Sequence, residues 1–118
     1  LNNYLSAVAM TATSEAILLG LKNKIDMKTM LDVLNVSTGK NSATLDKFPN
    51  RILTETYDAA FKIELMHKDL QLYLTEAKNG KLPVNIAEIV KEYFQEGLND
   101  FPSGDFTEIY KVINKTNI

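Results

Sequence analysis

Between Leu1 and Leu21 the only charged side chain is Glu15, and apolar residues recur there in two helical registers. Leu5, Val8, Ala9, Ala12, Ala16 and Leu19 make one stripe; Ala7, Met10, Ile17, Leu18 and Leu21 make the other. Apolar on most sides, the segment predicts a central buried helix whose Ala, Ser and Thr residues let neighbours approach closely. Lys22-Asn23-Lys24 ends it.

Beyond it the pattern breaks and restarts. Asp26 is a good N-cap for a second helix, with Ile25 and Met30 placed as a hydrophobic staple and Met27, Met30, Leu31 and Leu34 on one face. Ser37-Thr38-Gly39 stops it. Asn41 or Ser42 can cap a short helix through Phe48, kinked at Pro49, with a further turn through Ile52. The Phe61 segment runs to about Lys78, carrying Met66, Leu70, Tyr73, Leu74 and Ala77 at helical spacing, and Asn79-Gly80 closes it. In the next helix Asn85 caps, Glu88 holds the capping-box position, Val84 staples to Ile89, and Ile86, Ile89, Val90, Tyr93 and Gly97 face inward. Asp105, with Glu108 three residues on, caps a last helix bearing Phe106, Ile109, Tyr110 and Ile113. No strand pattern or repeat interrupts this series. The expected fold is all-α, with about six helices packed round a long buried first helix.

The length of 118 residues fits one domain spanning 1–118, and 45% apolar with 24% charged residues is a globular composition. A net charge of −2 offers no polycationic surface for a phosphate backbone, so nucleic acid is not an expected partner. Without cysteine there are no disulfides or thiolate metal sites, which is compatible with a reducing cytosol. No apolar run is expected to approach bilayer length, and no secretion signal is evident, so a cytoplasmic protein without a membrane partner is the expectation. Helical patterning starts at Leu1 with no initiating Met, which points to a piece of a longer chain.

Candidate chemistry is sparse. The carboxylates form no close pair of the kind glycosidases use, and the single histidine, His67, has no second ligand at metal spacing and reads as a partly exposed helix residue. No metal is expected. The loop Ser37-Thr38-Gly39-Lys40-Asn41-Ser42 lacks the glycines of a phosphate-binding loop. Asn2 and Asn3 read as helix caps or, inside a longer helix, as amides that orient a hydroxyl or an amine. Lys68, in Phe61-Lys62-Ile63-Glu64-Leu65-Met66-His67-Lys68-Asp69-Leu70, reads as a solvated charge or as a functional cation.

The order Leu1-Asn2-Asn3, Glu15-Ala16, Ile25-Asp26, Ser37-Thr38-Gly39-Lys40-Asn41-Ser42, Phe61 leading to Lys68-Asp69-Leu70, Leu82-Pro83 and Asp105-Phe106-Thr107 resembles the C-terminal domain of the β-hydroxyacid dehydrogenases. This family includes 3-hydroxyisobutyrate dehydrogenase, tartronate semialdehyde reductase and 6-phosphogluconate dehydrogenase. The resemblance covers essentially the whole chain. It implies an N-terminal Rossmann domain binding NAD or NADP, a helical domain that closes the active site and supports a homo-oligomer, and a small hydroxy-acid or semialdehyde substrate. It also implies a general acid/base lysine four residues before Asn3, upstream of Leu1, so that this chain alone is expected to be inert. By the same likeness Asn3 positions substrate and that lysine, Lys68 reaches the cofactor near the nicotinamide, and Phe61 and Asp69 shape or brace the site. Two positions depart from the family: Lys24 and Ala60 stand where glycine is frequent, so Asn23 is expected to take the left-handed turn beside Lys24. The competing reading is a free-standing helical interaction or dimerisation module.

Overall fold

The computed structural model describes residues 1–115. Six helical segments follow one another: α1 (Asn2–Lys22), α2 (Met27–Leu34), a π-helix (Ala43–Ile52), α3 (Ile63–Asn79), α4 (Asn85–Asp100) and a last one in which a 3-10 turn (Phe106–Glu108) runs into α5 (Ile109–Lys115). The fold is all-α, and α1 touches every other α-helix and the π-helix.

One side of α1 supplies the core. Ala7, Met10, Ile17 and Leu18 are buried together with Thr11, Thr13 and Ser14. Two of the hydroxyls return to their own helix, Thr11 Oγ1 donating to the Ala7 carbonyl at 2.8 Å and Ser14 Oγ to the Met10 carbonyl at 2.7 Å. Their burial therefore leaves no unpaired donor. The other expected stripe is only partly covered: Val8 and Ala9 are half-buried against the core, whereas Leu5 is 65% and Leu19 66% exposed and Ala12 and Ala16 are exposed as well. Five elements, α2, α3, α4, α5 and the π-helix, pack on α1 and still leave these positions open. A second correction concerns length. α1 is long and apolar enough, by those two criteria, to cross a bilayer; here its apolar side packs inside a protein core.

The π-helix replaces the expected kinked helix. Asn41 caps it as expected, its Oδ1 accepting from the amides of Ala43 at 2.8 Å and Thr44 at 3.1 Å. Pro49 sits inside the element rather than ending it. In a π-helix each N–H reaches the carbonyl five residues back, as Leu53 does to Phe48 at 2.8 Å. Proline has no N–H, so the Thr44 carbonyl lacks that partner. Asn35, at the end of α2, fills the vacancy: its Nδ2 donates to the Thr44 carbonyl at 2.7 Å.

At α2, Asp26 caps as expected, accepting from the Thr29 amide at 3.0 Å. Lys24 itself, not Asn23, takes the left-handed conformation between α1 and α2, with φ of 64°, and Ala60 does the same before Phe61 with φ of 65°. The capping box at Asp105 and Glu108 is present. Asp105 also accepts from the Phe61 amide at 3.2 Å, and the Phe106 amide donates to the Phe61 carbonyl at 2.7 Å. The entry to α3 is thereby sewn to the entry of α5.

The face of α4 is rotated from the expected one. Ala87, Val90, Phe94 and Gly97 are buried, whereas Ile86 is 60% and Ile89 56% exposed. Small residues mark the packed side: a Cβ at Gly97 would lie 3.4 Å from Ile109 Cδ1 and 3.5 Å from Ile63 Cδ1. Asn85 is the first helical residue and makes no cap; Glu88 pairs instead with Lys78 Nζ at 2.5 Å. His67 is also corrected, being buried on α3 with Nε2 unpartnered among the described residues. Burial holds its pKa below the ordinary value, Gln95 pulls the other way, and the Lys91 charge adds to the lowering.

Removing the Asn35 amide strands a carbonyl that proline has already deprived of its helical donor. Asn35→Ala is expected to lower stability by about 1–3 kcal/mol in urea unfolding; a loss indistinguishable from zero would mean that water replaces the bond. For His67, the unfolded chain takes up the proton first, so stability falls as pH drops through the ordinary imidazole value of 6.5. Thermal melts of His67→Gln should show a smaller acid loss over that window than the parent sequence.

Candidate functional site

Asp69, Tyr73 and Glu76 are spaced four and three residues apart on α3 and so share one face, opposite the first turn of α1. Between the two helices lies an open cleft of about 530 Å³ bordered by Asn2, Asn3, Tyr4, Asp69, Tyr73 and Glu76.

Its polar corner is one hydrogen-bonded chain. Asn2 Nδ2 donates to Asn3 Oδ1 at 3.3 Å, and Asn3 Nδ2 donates to Asp69 Oδ2 at 2.6 Å, joining positions 66 residues apart. A carboxylate acceptor makes the second bond charge-assisted and fixes which end of the Asn3 amide is nitrogen. The remaining lone pair of Oδ1 and the second N–H of Asn3 stay available to a ligand. The capping alternative for Asn2 and Asn3 is not realised: Leu1 occupies the N-cap of α1 and no side chain caps there.

Beside that corner the rings of Tyr4 and Tyr73 stack at a centroid distance of 4.1 Å and an interplanar angle of 15°. Burial, and then the Tyr73 phenol, keep the pKa of Tyr4 above its ordinary value, so its hydroxyl is a neutral donor at physiological pH. The sequence reading placed Tyr73 among core positions and did not single out Tyr4 or Glu76. The helical spacing of Tyr73 and Glu76 with Asp69 was the available signal on α3; Tyr4, on α1, had none.

The structure brings Asn3 and Asp69 together but not all four expected residues. Lys68 follows on α3, exposed and outside the ion pairs found among the described residues. It does not border the cleft. Phe61 is elsewhere, packed edge-on against Phe106 at 5.9 Å and lining a second cleft with Tyr57, Lys62, Gly104 and Glu108. Among the described residues no group of His, Asp and Glu side chains is placed to hold a metal ion.

Residues 1–113 match a family model described as "NAD-binding of NADP-dependent 3-hydroxyisobutyrate dehydrogenase". The 2-(hydroxymethyl)glutarate dehydrogenase of Eubacterium barkeri is 30% identical over 96 residues, which cover 81% of this chain and 32% of that protein. The 3-hydroxyisobutyrate dehydrogenase of Pseudomonas aeruginosa is 30% identical over 100 residues, 79% of this chain and 33% of that one. The chain thus spans about a third of the length of the curated relatives it matches. In three dimensions it is similar to the Mycobacterium tuberculosis 3-hydroxyisobutyrate dehydrogenase solved with L-serine, with a TM-score of 0.87 at 21% identity, covering 95% of this chain and 40% of that one. Sequence and fold thus agree along nearly the whole length, and the chain belongs to the 3-hydroxyisobutyrate dehydrogenase family.

Proposed function

We propose that this chain is the helical C-terminal domain of an NAD(P)-dependent hydroxyacid dehydrogenase or semialdehyde reductase of the tartronate semialdehyde type. Its partner is an N-terminal Rossmann domain in the same polypeptide, and the site forms where the two domains meet. The observation that carries this reading is the Asn3 to Asp69 hydrogen bond, 2.6 Å, which ties the start of α1 to the middle of α3 where the family likeness puts the reacting groups.

In this reading Asp69 is a positioning residue. It holds the Asn3 amide so that Oδ1 and one N–H face the substrate hydroxyl and the lysine supplied four residues upstream. That lysine, with its pKa lowered by the closed site, takes the proton from the hydroxyl or returns it. Lys68 suits the edge of a dinucleotide: an exposed ammonium with no carboxylate partner among the described residues is free to meet an anionic or amide group. The bound nicotinamide supplies the hydride chemistry. Phe61 acts at a distance, bracing the entry to α3 through its bonds to Asp105 and Phe106.

The uncovered apolar positions Leu5, Leu19, Ile86 and Ile89 fit contact with the other domain or a second subunit of a homo-oligomer. They also favour the alternative of a helical interaction module, which would need no upstream lysine. The parent enzyme works in the cytosol. The chain alone, lacking the dinucleotide site, is inert.

In the full-length enzyme, Lys68→Ala should reduce kcat/KM for the nicotinamide cofactor by roughly tenfold to a hundredfold, the loss of one charge-assisted contact. Steady-state kinetics with cofactor as the varied substrate reads this directly, and unchanged constants would remove Lys68 from the site. Asn3→Ala should act mainly on kcat, because what it loses is orientation of the reacting groups.

A further inference from the structure

The side of α1 that the core leaves open forms one seam. Leu5, Ala9, Ala12, Ala16 and Leu19 follow one another at four, three, four and three residues, the spacing of positions a and d in a heptad. Ala9 is half-buried and the other four are exposed, Leu5 at 65% and Leu19 at 66%. No charge interrupts the seam. Glu15, the one charged residue between Leu1 and Leu21, lies off it and turns to the Tyr93 hydroxyl of α4. A second helix continues the apolar surface: Ile86 and Ile89 of α4, 60% and 56% exposed, border a groove of about 150 Å³ together with Val8 and Ala12 of α1.

Two features name the occupant. Leu5 stands two residues beyond Asn3 and therefore about 160° round the helix from it, so a dinucleotide domain seated over Asn3 and Asp69 leaves the seam free. The order Leu-Ala-Ala-Ala-Leu also reads the same from either end, and a two-fold contact requires a patch that fits its own copy. Resting on the reading above for where the dinucleotide domain sits, we infer that the seam is covered by α1 of a second copy of this chain, running antiparallel, with the two-fold axis at Ala12. Leu5 of one copy then meets Leu19 of the other, Ala9 meets Ala16, and Ala12 meets itself. Alanine at the three central positions lets the helix axes approach to ~8 Å, the near end of the usual range, while the leucines close both ends. The stretch from Leu5 to Leu19 is about 21 Å long and one helix, ~10 Å, wide, well below the ~800 Å² per partner of a standard interface. Ile86 and Ile89, beside the seam on α4, widen the contact.

In the full-length enzyme, Leu5→Glu and Leu19→Lys are each expected to weaken self-association by at least about a hundredfold in Kd, since two-fold symmetry places each charge in the seam twice. Combined, they set Glu against Lys at both ends, and association should return to within about tenfold of the parent sequence. Analytical ultracentrifugation over a concentration series reads all four proteins, and circular dichroism checks that these exposed substitutions leave the helices intact. Ala12→Cys, on the axis, should form a disulfide with its own copy under oxidation. A monomeric parent, single variants that assemble as the parent does, a double variant no better than the singles, or an Ala12→Cys that stays unlinked overturns the proposal. NAD(P)-linked oxidation of hydroxy acids, followed in the same samples, tests the dehydrogenase reading separately. No turnover by the parent ends that reading, while recovery in the charge-swapped double variant would still place a second copy on α1.

Discussion

A single helix that must accept five packing partners constrains the rest of this domain. α1 meets α2, the π-helix, α3, α4 and α5, and can do so only if its contact side stays narrow. Ala7, Thr11, Thr13 and Ser14 supply that narrowness between the larger Met10 and Ile17. Gly20 carries the same rule to the end of the helix, where a methyl group would overlap the Met30 sulfur of α2. Close approach in turn fixes where α3 lies against α1, and the Asn3 to Asp69 bond depends on that placement to a fraction of an ångström.

Much of the fold was legible because local signals and tertiary demands agree. Asp26, Asn41 and Asp105 cap where their spacing says they should, and Phe106, Ile109, Tyr110 and Ile113 are buried as their register predicts. Where reading failed, a long-range term decided. On α4 the bulky Ile86 and Ile89 looked like a core face, yet the side with Ala87 and Gly97 lets α3 and α5 come closer, and burial follows the backbone. Pro49 announced a break, and the side chain of Asn35, fourteen positions upstream, makes a continuous wide helix possible instead.

The site divides in the same way. Asn3, Lys68 and Asp69 could be nominated by family likeness, but no periodicity says that Asn3 reaches Asp69 across 66 positions. The tyrosine pair was hidden for a different reason. Half-buried aromatic residues at helical spacing look identical whether they fill a core or wall a cleft, and only the open cleft beside Tyr4 and Tyr73 among the described residues separates the two cases. Phe61 shows the converse, a residue near the site in sequence whose contacts are those of a splice between two chain entries.

The left-handed turns have a consequence for how this chain tolerates change. Lys24, Glu55, Tyr57, Ala60 and Lys81 all have positive φ, and no glycine does. The glycines lie elsewhere, with ordinary φ, while residues with side chains carry the backbone strain of about 1 kcal/mol each in the loops. Glycine at Lys24 or Ala60 would relieve that strain but also loosen the unfolded chain, so the two effects oppose each other and the loops can keep residues with side chains at little net cost.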